Sequence, residues 1–121
     1  MGPINWVAVG IAGIIGSMCH LLWKKRVSPA TYAHDRPAIL GVTMAAAAML
    51  GHMYARLGAE TLAAKPWLFW MQSGGLVLAF VGPAVWLGQV QAGKRGREAA
   101  LDAGSWLLVY LAMGTVFWMM R

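Results

Sequence analysis

Four uninterrupted apolar stretches, each about as long as a bilayer is thick, constrain this chain more than any motif in it. They cover residues 3–23, 37–57, 66–88 and 103–120, and Arg56 is the one charged residue inside them. At about 1.5 Å per helical residue, roughly 20 residues cross a hydrocarbon core of about 30 Å. In lipid the backbone must satisfy its own hydrogen bonds, and a lone apolar segment does so as an α-helix. The expected fold is therefore an all-α integral membrane protein, a single domain over 1–121 built as a four-transmembrane-helix bundle. Composition agrees: 12% of the 121 residues are charged, against about 25% in a soluble domain. The bases Lys24, Lys25 and Arg26 follow the first stretch, whereas a cleaved signal peptide carries its bases before the apolar run. The first stretch is therefore expected to stay as a helix.

The third stretch has features that simple anchoring does not require. Gln72-Ser73-Gly74-Gly75 places polar and small residues in its first half, and Gly82-Pro83 is a kink signal in its second. Pro83 has no N–H for the carbonyl of Ala79, and that carbonyl needs another partner, for which a nearby hydroxyl or imidazole is the expectation. Small residues recur elsewhere. Gly10, Gly13 and Gly16 fall every third residue, Gly13 and Ser17 have small-xxx-small spacing, and Gly51 marks a similar position in the second stretch. Between helices in lipid, such residues let backbones approach closely. With Gly74 and Gly75 they predict helix packing, within a homo-oligomer or a larger membrane complex.

Seven of the ten bases, Lys24, Lys25, Arg26, Arg36, Lys94, Arg95 and Arg97, lie in the first and third connectors. By the positive-inside rule these connectors are cytoplasmic and both termini face the other side. Lys24, Lys25, Arg26, Lys94, Arg95 and Arg97 are then read as lipid-headgroup contacts. The net charge of +6 comes without a basic face or a nucleic-acid motif, so no nucleic-acid partner is expected. The tryptophans agree with the orientation, Trp6, Trp67, Trp70 and Trp118 falling toward the outer interface and Trp23, Trp86 and Trp106 toward the inner one. Pro37 suits the first turn of the second helix, and Asp102 suits the N-cap of the fourth.

Depth then sorts the polar intramembrane residues. His52 lies roughly 7 Å and Gln72 roughly 9 Å outward of the midplane, where the two can meet. His20, Thr43 and the Gly82-Pro83 break lie roughly 6 to 9 Å inward, with Tyr110 nearer the centre. Two polar levels are expected, with Ser73 beside Gln72. The simpler reading of each such residue is a hydrogen bond to a neighbouring helix, while an ionisable group in lipid also raises a ligand or pathway role. His20 and His52 sit roughly 16 Å apart along the normal, which opposes a shared bis-histidine haem. Met18, Cys19 and His20, or Met49, His52 and Met53, are soft donors of the type that copper(I) takes, and Ala48-x-x-x-His52 is similar to the pigment-binding histidine setting of light-harvesting helices. Neither pattern is specific enough to assign a metal or cofactor, and none is expected. The carboxylates Asp35, Glu60, Glu98 and Asp102 fall in connectors or at helix ends, so mid-membrane proton coupling has no carboxylate to use. No phosphate loop, metalloprotease helix or serine–histidine–acid set is present, and no catalytic residue is assigned.

Ala79-Phe80-Val81-Gly82-Pro83, Asp102-Ala103-Gly104-Ser105-Trp106-Leu107 and Met113-Gly114, with the early Asn5-Trp6, resemble a family of short, uncharacterised bacterial four-helix membrane proteins. The family's aromatic-Ser-Pro element after the first helix is matched in part by Trp23 and Ser28-Pro29. The resemblance implies a multi-pass protein of the bacterial inner membrane and carries no chemistry. Two functions are consistent with these features: an accessory or scaffolding bundle, or a small dimeric transporter or channel for a neutral or cationic solute that uses intramembrane histidine and glutamine.

Overall fold

In the computed structural model the described residues are 2–27 and 32–121, with side chains described from 36 onward in the second stretch. All regular structure among them is helical: α1 Trp6–Val27, α2 Tyr32–Leu57, a short α3 Ala59–Ala64, α4 Leu68–Leu76, a π-helical turn Val77–Val81, α5 Gly82–Gln91 and α6 Gly96–Met119. Four segments are long and apolar enough to cross a membrane: Trp6–Val27, Arg36–Leu57, Leu68–Gln91 and Gly96–Met119. The third of these joins α4, the π turn and α5 into one continuous rod.

Local chemistry sets the ends. Asn5 Oδ1 accepts the Ala8 N–H at 3.1 Å, capping α1, and Lys24, Lys25 and Arg26 in its last turn complement the negative end of the helix dipole. Gly58, at φ 86°, closes α2 by donating its N–H to the Tyr54 carbonyl, a left-handed turn that glycine adopts without penalty. Gly93, at φ 93°, turns the chain from α5 toward α6.

Three boundaries differ from the sequence expectations. Pro37 is not in the first turn of α2, because the helix begins at Tyr32 and proline sits inside it. So near the start, the backbone bond it removes interrupts only the first turns. Asp102 is not an N-cap. The fourth spanning helix begins at Gly96, with Arg95 as its extended flanking residue, and Asp102 lies in its second turn. The region around Glu60, read as a bare connector, contains α3, which docks through buried Leu62. Ser28-Pro29 lies outside the described residues.

α1 packs along α2 on one side and α6 on the other, α6 continues to the third rod, and α2 approaches α4. In lipid, apolar side chains would have no reason to leave their surroundings, and close van der Waals fit and interhelical hydrogen bonds would hold a bundle of such helices. The small residues supply that fit. Ala8, Ala12 and Ala47 are fully buried. A Cβ on Gly13 would run into Met44 of α2, one on Gly51 would come 2.7 Å from Val9, and one on Gly16 3.1 Å from Met113 of α6. On the other seam a Cβ on Gly114 would lie 2.9 Å from the Phe69 carbonyl oxygen and one on Gly74 3.1 Å from Leu111. Gly10 and Gly75 meet nothing, so these two members of the expected stripes do not pack within the chain. The third rod is the outermost: α5 has no buried residue, and Leu78 and Phe80 of the π turn are 70% and 69% exposed.

Candidate functional site

The cationic ends of α1, α5 and α6 enclose a cleft of about 380 Å³. Two helical spacings build it. His20 and Trp23 are three apart on α1, Asp102 and Trp106 four apart on α6, and each pair therefore shares a face. Where the faces meet, the His20 ring stacks on Trp106 at 4.2 Å between centroids and 24° between planes. One turn further on, Trp23 Nε1 donates to Asp102 Oδ1 at 3.1 Å. Lys94, carried by the turn after α5, places Nζ 3.5 Å from the other carboxylate oxygen. Lys24 and Val27 of α1 and Ala84, Val85, Gly88 and Gln89 of α5 complete the lining. Asp102 is thus a half-buried carboxylate held by an indole N–H and an ammonium, and His20 is buried beside it.

Chemically the lining offers an imidazole, a carboxylate, an amide, two indoles and two ammonium groups. It has no hydroxyl or thiol for nucleophilic catalysis. It is equipped to hold a polar group at the edge of an apolar bundle. Among the described residues no three His, Cys, Asp or Glu side chains gather as a metal site. Met18 is exposed while His20 is buried, since successive helical residues point about 100° apart, so Met18-Cys19-His20 does not converge on one ion.

The two expected polar levels are rearranged. Toward the cationic end Ser17 and Thr43 share a hydroxyl–hydroxyl bond across α1 and α2, and the hydroxyl that accepts it donates to its own helix, Ser17 to Gly13 or Thr43 to Ile39. His20 faces α6 instead, where Tyr110 meets Trp106 edge-on at 6.5 Å. The level is therefore two separate contacts on two faces of α1. Toward the terminal end, His52 and Gln72 share no hydrogen bond. His52 is exposed on α2, and neither side chain has a hydrogen bond among the described residues. The polar contact at the terminal end is built from Tyr54 and Ser73, whose hydroxyls both donate to the Phe69 carbonyl, at 2.6 and 2.9 Å. Trp70 Nε1 donates to Thr115 Oγ1 at 2.9 Å beside it. The π turn absorbs the Gly82-Pro83 break by sending the Gly82 N–H back to the Val77 carbonyl.

Trp23, Gln89, Asp102 and Trp106 are the cleft residues that sequence reasoning did not assign to a site. The His-x-x-Trp and Asp-x-x-x-Trp spacings were visible, but indoles near helix ends read as interfacial anchors, and Asp102 reads as a cap. Of the expected headgroup residues, Lys25, Arg26, Lys94, Arg95 and Arg97 are exposed and Lys24 half-buried, all at this end. What fold and site define together is an all-helical chain with four membrane-length apolar helices and a polar cleft at its cationic end. No known family model, curated protein or solved structure matches it.

Proposed function

We propose that this chain is a multi-pass accessory protein of the bacterial inner membrane that binds a ligand or partner at its cationic end without transforming it. Both termini lie on the non-cytoplasmic side. The observation that carries this reading is the coincidence of the charged end with a cleft whose lining can hold a polar group but has no hydroxyl or thiol. Membership of a bacterial inner-membrane family rests on the sequence resemblance alone. Association with a larger membrane complex is favoured over self-association, because Gly13, Gly16, Gly51 and Gly74 are already filled within one chain. Transport is less well supported, since His52 is exposed on α2 and shares no hydrogen bond with Gln72.

Two measurements test the reading. In a Cys19→Ser background, single cysteines at Lys25 and Arg97 should react with a membrane-impermeant maleimide from the cytoplasmic side, and one at Glu60 from the opposite side. The reverse pattern overturns the orientation. In liposomes the protein should conduct no solute. Flux lost in both His20→Ala and Asp102→Asn would replace the accessory reading with transport.

A further inference from the structure

We propose that the cleft between α1 and α5 receives the phosphate-ester headgroup of an anionic phospholipid. This deepens the proposed ligand-binding role and rests on it. Its volume, about 380 Å³, falls in the range of small-molecule sites, roughly 300–1,000 Å³. Lys24 and Lys94 line it, and the exposed Lys25, Arg26, Arg95 and Arg97 surround its end of the bundle. The described acids there are Glu98, which is exposed, and Asp102, whose charge is met by the Trp23 indole N–H, the Gln89 amide and Lys94. Lys94 is 49% exposed and its contact to Asp102 is long, at 3.5 Å, so its ammonium can turn to a phosphate while the indole keeps the carboxylate. Gln89 Oε1 is buried and has no hydrogen-bond partner among the described residues, leaving an acceptor for a headgroup hydroxyl that reaches it.

The outer wall decides between a lipid and a soluble phosphate. It is made by Ala84, Val85 and Gly88 of α5, a helix with no buried residue and with Leu87 exposed. A cleft with such a low apolar wall opens sideways to the bilayer at headgroup depth, where basic pockets between helices recruit acidic lipids. The acyl chains stay along α5 while the phosphate enters.

The test is native mass spectrometry of purified protein titrated with phosphatidylglycerol or phosphatidylcholine, which needs no knowledge of membrane orientation. Retention of phosphatidylglycerol over phosphatidylcholine is expected, falling about fivefold for each of Lys24→Gln and Lys94→Gln. Lys25→Gln with Arg26→Gln should change it little. Gly88→Leu fills the cleft without altering charge and meets no neighbouring atom within 4 Å at its Cβ. It should abolish the preference while intact mass and helicity are kept. Equal loss in the Lys25 and Arg26 variants, or full retention in Gly88→Leu, assigns binding to the general surface charge and overturns the site. Equal competition by free glycerol phosphate assigns a soluble ligand and overturns the lipid. A reversed maleimide pattern with lipid preference intact would remove the orientation and leave this proposal standing.

Discussion

The Phe69 carbonyl shows how single residues hold this bundle. It receives two hydroxyl donors, Tyr54 from α2 and Ser73 from its own helix, and Gly114 of α6 lies against the same group. An added Cβ at Gly114 would stand 2.5 Å from Ser73 Oγ and 2.9 Å from that carbonyl oxygen. Backbone cannot move aside as a flexible side-chain tip can. Gly114→Ala is therefore expected to destabilise the fold by about 1–3 kcal/mol in mixed-micelle SDS denaturation. Gly104→Ala, where an added Cβ meets nothing, should be neutral or slightly stabilising because alanine favours the helix by up to about 1 kcal/mol. Equal effects at the two positions would refute the close-contact explanation. Tyr54→Phe removes one of the two donors to Phe69 and should cost about 0.5–1.5 kcal/mol in the same assay, since Ser73 still satisfies the carbonyl.

At the scale of the element, the π turn reconciles Gly82-Pro83 with a continuous rod. An added Cβ at Gly82 would lie 2.8 Å from the Val77 carbonyl oxygen that its N–H bonds, so this turn specifically requires glycine. Gly82→Ala should destabilise by about 1–3 kcal/mol. Gly82→Ala combined with Pro83→Ala restores a donor for the Ala79 carbonyl and permits a regular α-helix, so the double variant should be more stable than the single one. A double variant no better than Gly82→Ala would show that proline is not what maintains the turn. The sequence located this break because proline's missing N–H is a local fact. It did not specify the repair, which depends on whether a neighbouring helix offers a donor, and that is tertiary information. The same division separates the helices from their contacts. Length and hydropathy placed all four spans, yet the starts at Tyr32 and Gly96 were missed because amphipathic turns beyond the apolar core continue the helix into polar sequence. Gly13, Gly16 and Gly51 were legible as packing positions from size alone. His20 and His52 have the same side chain and comparable depth, and only rotation about the helix axis separates the buried one from the exposed one.

For the whole molecule, the two ends are fastened differently. At the terminal end, Asn5 Nδ2 donates to the Met120 carbonyl at 3.1 Å and the Gly2 N–H to the Ala55 carbonyl at 2.9 Å, tying the start of the chain to α2 and α6. At the cationic end, α1 is tied to α6 by the His20–Trp106 stack and the Trp23–Asp102 bond, while α5 carries no buried residue to hold it inward. Opening should therefore begin at the cationic end and move α5 first. Trp23→Phe keeps an aromatic ring and removes the N–H, leaving Asp102 with the Gln89 amide and the long contact to Lys94. A hydrogen bond to a charged group contributes about 1.5–3 kcal/mol, so local opening there should become at least about tenfold more frequent. Hydrogen exchange resolved by mass spectrometry should then rise in the last two turns of α1 and across 84–102, while the first half of α1 and the last half of α6 keep their wild-type protection. Uniform acceleration over all four spans would mean that the bundle opens as one cooperative unit, and the cationic end would lose its standing as its separately opening part.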